Sequence, residues 1–164
     1  LSFTAEEVWK YMPKEEGMPE SVMLQDWPQG HSEHFNQELA DKWNQLLDLR
    51  TSVQKALELA RQDKTIGHPL DASVTVYAEG AAFDALNALG EEGLAKLVIV
   101  SETHIVNGAA PAEAVKDEET GVATVVVASN LEKCERCWIH RDTVGQDSEH
   151  PTLCARCASV VKTL

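Results

Sequence analysis

Four cysteines stand as two Cys-x-x-Cys pairs, Cys134-Glu135-Arg136-Cys137 and Cys154-Ala155-Arg156-Cys157, with a polar, turn-rich stretch between them. Two residues between cysteines let one tight turn aim both sulfurs at a single ion. Two such turns bring four thiolates to the corners of a tetrahedron, the arrangement of closed structural zinc sites. The separation of the pairs falls within the range that marks zinc modules. The pattern therefore predicts one Zn²⁺ held by Cys134, Cys137, Cys154 and Cys157. Sulfur fills the coordination sphere and leaves no open position for a reacting water, so the ion is a staple rather than a catalyst. The segment from Trp138 to Leu153 is too short and polar to bury a core, and the metal must supply most of its folding energy. His140 and His150 lie between the pairs, but four cysteines suffice without them.

Two other chemistries use the same residues. Redox dithiols belong beside a strand-helix unit, whereas both pairs here sit in a loop-rich tail. A disulfide framework suits a small secreted chain, yet no signal peptide is visible and all four cysteines share one corner. A reduced, zinc-bound, cytoplasmic protein is the expectation. The chain opens on Leu1 and runs straight into a helix, which suggests a piece cut from a longer protein.

At 164 residues the chain can hold one medium domain, or two small ones plus the zinc tail. No run approaches the ~20 apolar residues that a membrane helix needs. The net charge of −13 argues against holding nucleic acid by bulk electrostatics. Its distribution matters more: residues 1–60 carry −6, residues 61–130 carry −7, and residues 131–164 balance to zero. Only the tail can approach an RNA backbone without heavy repulsion, and there four thiolates around Zn²⁺ add −2. Any RNA contact must then be local, made by a few placed arginines and aromatics. No nucleophile, base and orienting group assemble into a catalytic set.

Several elements must position this tail. Thr4 and Glu7 read as a capping box for a helix from Ala5 to Tyr11, with Phe3 and Val8 as a hydrophobic staple and Val8, Trp9 and Met12 packing. Met12-Pro13 ends it, and Ser21 to Pro28 reads as a short extended segment. From Ser32, read as an N-cap, a long helix runs to about Arg61 on the stripe Phe35, Leu39, Trp43, Leu46, Val53, Leu57 and Ala60, widened by Leu47, Leu49 and Ala56. Its aromatics are expected to pack. Ala72 to Ala78 alternates as a half-buried strand with Val74, Val76 and Ala78 on one face. Ala81 to Leu89, stopped by Gly90, and Glu91 to Lys96 read as helices. Leu97 to Val100, His104 to Val106 and, beyond the acidic loop at Asp117-Glu118-Glu119, Val122 to Ala128 read as further strands. The expectation is an α+β chain whose small domain carries an antiparallel or mixed sheet.

Taken together the pieces resemble the C-terminal end of a bacterial isoleucyl-tRNA synthetase. The matching stretches are Leu1 to Trp9, Ser21 to Pro28, Ala56 to Arg61 with Lys64-Thr65-Ile66-Gly67, and above all Lys133-Cys134-Glu135-Arg136-Cys137-Trp138 with Leu153-Cys154-Ala155-Arg156-Cys157. The resemblance implies three parts: residues 1–30 as the end of a helical anticodon-binding domain and linker, 31–130 as a long helix plus a small α+β junction domain, and 131–164 as the four-cysteine zinc knuckle module. It implies a parent ligase that attaches isoleucine to its tRNA with ATP and Mg²⁺ and edits misattached valine. The ATP-site signatures of that family are absent here, and His31 and His34 stand without them. The fragment would hold the anticodon arm of the isoleucine tRNA as part of a monomeric cytoplasmic synthetase. Arg136, Arg141 and Arg156 can fork onto phosphates or bases, and Trp138 can stack on an unpaired base. Two other readings remain open: a zinc ribbon that docks onto protein, and a structural tail that folds back on the synthetase body.

Overall fold

The computed structural model describes residues 1–30 and 32–164; His31 lies outside the described residues. The chain divides into two compact units, Leu1–Asn36 and Gln37–Leu164.

In the first unit, helix α1 (Ser2–Tyr11) leads into a loop and a 3-10 turn at Val22–Leu24. Trp9 is the buried anchor, and its indole N–H donates to the Pro19 carbonyl at 3.0 Å. The Glu6 carboxylate accepts from the Ser21 hydroxyl at 2.9 Å and the Val22 amide at 3.2 Å, which ties the turn back to α1. Three local expectations fail here. The Ala5 amide already bonds to the Leu1 carbonyl, so Thr4 lies inside the first turn, and no side chain caps the helix. Phe3 and Val8 are exposed and form no buried staple, and Met12 is exposed with them. The stretch from Ser21 winds into a turn because the Ser21 hydroxyl accepts from the Met23 amide.

The second unit is an α+β sandwich. Its strands β1 (Ala72–Ala78), β2 (Glu102–Asn107), β3 (Val115–Lys116) and β4 (Ala123–Ala128) stand in the order β2-β1-β4-β3. β1 runs parallel to β2 and antiparallel to β4, and β3 is antiparallel to β4, so the sheet is mixed. The alternation of β1 buries Ala72, Val74, Val76 and Ala78 on one face. That face carries the helices α2 (Gln37–Gln62), α3 (Gly80–Leu89) and α4 (Glu91–Val98). The core gathers Leu49, Val53, Leu57 and Ala60 of α2, Leu86 of α3, and Leu94 and Val98 of α4 against Val74 and Val76. Gly90 ends α3 at φ 76°, a conformation that glycine adopts without a Cβ penalty. The acidic loop is wound around Asp117, which accepts from the Glu119 and Thr120 amides and pairs with Lys55 at 2.7 Å.

Three features differ from expectation. Ser32 opens a separate 3-10 turn at Ser32–His34, and α2 starts only at Gln37. Burial along α2 begins at Leu46, where the helix meets the sheet layer, so Leu39 and Trp43 are exposed rather than packed, and Leu47 with them; Phe35 precedes the helix and is exposed too. The β-branched run at Leu97 to Val100 is no strand: Leu94 and Val98, four apart, face the core as the end of α4, and Ile99 closes the helix in the left-handed region. A run this short cannot be told from a buried helix end by periodicity.

Leu46 is fully buried and Leu47 about half exposed. Leu46→Ala should lower the stability of the zinc-loaded chain by roughly 2–5 kcal/mol, and Leu47→Ala by less than about 0.5 kcal/mol. Urea unfolding of both variants checks this, and equal losses would contradict the placement of α2.

Candidate metal centre

Each Cys-x-x-Cys pair occupies a tight turn. In the first, the Trp138 amide donates to the Cys134 carbonyl at 2.8 Å and the Cys134 amide donates to the Ile139 carbonyl at 3.1 Å. Lys133 and His140 form an antiparallel bridge at its base. In the second, Cys154 caps helix α5 (Ala155–Val161) and Cys157 projects from its first turn. The Glu135 amide donates to the Thr152 carbonyl at 3.2 Å, which joins the two turns.

The four Sγ atoms lie within 4.8 Å of one another, and three of the cysteines are buried. Cys137 and Cys154 have their sulfurs 3.9 Å apart. A tetrahedron with Zn–S bonds of ~2.3 Å has S···S edges of about 3.8 Å. The residues therefore fit a zinc ion. The donor set argues the same way. Although burial opposes it, amides of Cys137, Cys154 and Arg136 pull the Cys134 thiol down to about 6, and the Cys154 amide stands 3.3 Å from its sulfur. Burial pushes the Cys137 thiol up to about 12, and the neighbouring sulfurs add to the rise. Four thiolates cannot crowd together unless a cation offsets their charge, and a divalent ion does so directly. Val144 and Leu153 cover the cluster and are the only apolar side chains described as packing on it besides Cys137, a small core for such a module. A structural zinc matches this composition.

The arginines and the tryptophan differ in their surroundings. Arg136 Nη1 stands 3.7 Å from Cys157 Sγ, where its charge faces the sulfur cluster. Arg156 is exposed at the equivalent position of the second pair. Trp138 has φ 64° and is 61% exposed. A bulky non-glycine residue in that region is uncommon and strained. Arg141 is half-buried, with its Nε enclosed and lacking a hydrogen-bond partner among the described residues. His150 donates its backbone amide to Asp147, and neither it nor His140 joins the sulfur cluster.

A polar seam fixes the metal module on the sheet, and sequence reasoning missed it. Asp71 Oδ1 accepts from Lys133 Nζ at 2.7 Å and faces His140 Nε2 at 3.4 Å, while Asp71 Oδ2 accepts from the His68 amide at 2.9 Å. The Lys133 ammonium, before the His68 amide and His140, holds the Asp71 carboxyl below the usual range. The His140 amide donates to Ser101 Oγ at 2.8 Å, and His140 Nδ1 stands 2.6 Å from the Leu131 carbonyl. No local pattern signals contacts between residues so far apart in the chain. Within the module, Lys162 at the end of α5 binds Asp147 at 2.6 Å and Glu149 at 3.0 Å, which ties the helix to the intervening loop.

Residues 132–160 match the zinc finger found in FPG and IleRS, and residues 1–76 match the anticodon-binding domain of tRNA ligase. The whole chain is 44% identical to an isoleucine–tRNA ligase of Moorella thermoacetica, and covers 18% of that protein. It is 46% identical, again over its whole length, to one from Syntrophomonas wolfei, of which it covers 18%. Over 99% of its length it is 43% identical to one from Shewanella sediminis, covering 17% of it. The chain thus spans less than a fifth of the curated relatives it matches. Among the described residues no helix is long and apolar enough to cross a membrane.

Cys134→Ser and Cys157→Ser should each release the zinc and unfold residues 131–164, while the sheet and α2–α4 stay folded. Metal analysis together with amide NMR spectra would check this. A variant that kept full metal content would refute the four-cysteine site.

Proposed function

We propose that this chain, which matches isoleucine–tRNA ligases along its whole length, is the part of such an enzyme that holds the anticodon arm of the isoleucine tRNA. It adds no chemistry of its own to the ATP-driven attachment of isoleucine. ATP and Mg²⁺ act elsewhere in the parent ligase. On this reading the chain works within a monomeric cytoplasmic synthetase. On the same reading the chain has three functional parts: residues 1–30 as the end of the anticodon-binding domain and linker, 31–130 as the long helix and junction domain, and 131–164 as the zinc module.

The observation that carries the reading is Trp138: a large aromatic side chain, 61% exposed, kept at a strained positive φ beside a rigid metal node. Burial of the ring does not explain its retention there, whereas stacking on an unpaired base would. Zn²⁺ on Cys134, Cys137, Cys154 and Cys157 would set the position of the indole. Arg156 and Arg136, one in each turn, would supply charge for phosphates, and Arg141 a further fork. The match of residues 1–76 to an anticodon-binding domain supports the same assignment. The acidic body supplies no electrostatic attraction for RNA, so recognition rests on geometry at the tail, the least acidic segment. The function is positional: a tRNA gripped at its anticodon end presents its acceptor end to a distant catalytic site.

In the intact ligase, Trp138→Ala and Arg156→Ala should each raise the KM for tRNA in charging by about tenfold, the scale of one lost stacking or charged contact. Isoleucine activation, followed as pyrophosphate exchange without tRNA, should be unchanged. Equal losses in both steps would contradict the positional role.

A further inference from the structure

The chain leaves the sheet for the metal module beside Asp71 and is gripped by the same residue again where the module begins. The Asp71 carbonyl accepts from the Ser129 amide at 2.7 Å, just past the end of β4. Further on, Asp71 Oδ1 takes the Lys133 ammonium at 2.7 Å and faces His140 Nε2 at 3.4 Å. Lys133 precedes the first knuckle, His140 follows it, and the two pair as an antiparallel bridge. One carboxylate oxygen thus meets both sides of the knuckle's base. The other oxygen is held from the sheet side by the His68 amide at 2.9 Å, in the capping box of the 3-10 turn Pro69–Asp71. Ser101 doubles the link, since its hydroxyl donates to the Leu70 carbonyl and accepts from the His140 amide.

Among the described residues no buried apolar cluster spans this joint: the core of the sheet and the cluster around the sulfurs have no residue in common. Nor does the ion pair hold the fold together. The Asp71 and Lys133 side chains are 27% and 43% exposed, and pairs exposed to that degree add little stability. A contact that stabilises little, yet joins two separately cored parts through several directed bonds, acts on their orientation.

We infer that Asp71 is a positioning residue for tRNA charging: it holds the zinc knuckles at one angle to the sheet, and so sets where Trp138 and the knuckle arginines meet the anticodon arm. It touches no RNA and acts through Lys133 and His140. The inference rests on the RNA reading above and names what aims the surface that reading uses. Without the carboxylate the knuckles keep their zinc and their own fold but sample several angles. A tRNA then binds only the molecules that present the productive angle, and its apparent affinity falls by that fraction.

The tests use Asp71→Asn, Lys133→Met and the double variant. Asparagine keeps an acceptor for the His68 amide and turns an NH2 group toward Lys133. In the zinc-loaded chain, residual dipolar couplings of sheet and knuckle amides should fit one alignment tensor in the unaltered protein and require two in Asp71→Asn, with zinc content unchanged. In the intact ligase, Asp71→Asn should raise the KM for tRNA about tenfold, as for a productive angle held about a tenth of the time, with kcat at saturating tRNA unchanged. Lys133→Met should do the same, and the double variant should be no worse than either, because one joint is lost. Additive losses would make Lys133 an RNA contact in its own right and overturn the joint. Loss of zinc or a lower kcat in Asp71→Asn would mark a merely structural role and overturn the inference, as would a single alignment tensor or an unchanged KM. Trp138→Ala in the same assay separates the two readings. A raised KM there leaves the anticodon-arm reading standing when Asp71→Asn is without effect, and an unchanged KM in both variants overturns that reading too.

Discussion

Four thiolates that share one cation are the constraint on which the last part of this chain depends. Their sulfurs converge within 4.8 Å, with little apolar cover beyond Val144 and Leu153. Hydrophobic burial of that size cannot fix a segment of this length. The amide bonds of the two turns, the positive φ of Trp138 and the start of α5 at Cys154 all follow from where the sulfurs must be. The same charge that makes the cluster unstable alone, with Cys134 drawn toward the thiolate and Cys137 pushed toward the thiol, is what a divalent ion relieves. The surface that surrounds the metal is therefore rigid without a hydrophobic core of its own.

A rigid node is useful only if its orientation is fixed, and the seam around Asp71 does that. One carboxylate meets Lys133, His140 and the His68 amide, and Ser101 receives the His140 amide while donating to the Leu70 carbonyl. These groups come from the turn just before β1, the loop before β2 and the base of the first knuckle, so the metal module is referenced to one end of a packed sheet. Partly enclosed charge-assisted bonds of this kind favour one geometry over many.

What is legible in the sequence depends on range. The cysteine spacing is a local signal with a single geometric meaning, and the sulfurs cluster as it predicts. The alternation of β1 and the Gly90 stop of α3 are local too, and both are readable. The capping box at Thr4 fails because a helix start depends on backbone bonds up to Leu1 that a side-chain pattern does not report. The α2 stripe is real, but sequence cannot say where the sheet that covers it ends, so Leu39 and Trp43 read as core although they are exposed. The Leu97 to Val100 run misleads because four β-branched or aliphatic residues satisfy a strand and a helix end equally. β3, at two residues, is too short to leave a pattern. The Asp71 seam leaves no trace, since its partners are more than sixty residues apart.

The most direct test of the account is X-ray absorption at the zinc edge of the purified chain, with metal content measured on the same sample. One zinc per chain with four sulfur neighbours at about 2.3 Å is the predicted result. A shell in which nitrogen from His140 or His150 replaces a sulfur at about 2.0–2.1 Å would contradict it. In that case the knuckle geometry, the seam that uses His140 and the surface built on both would have to be redrawn.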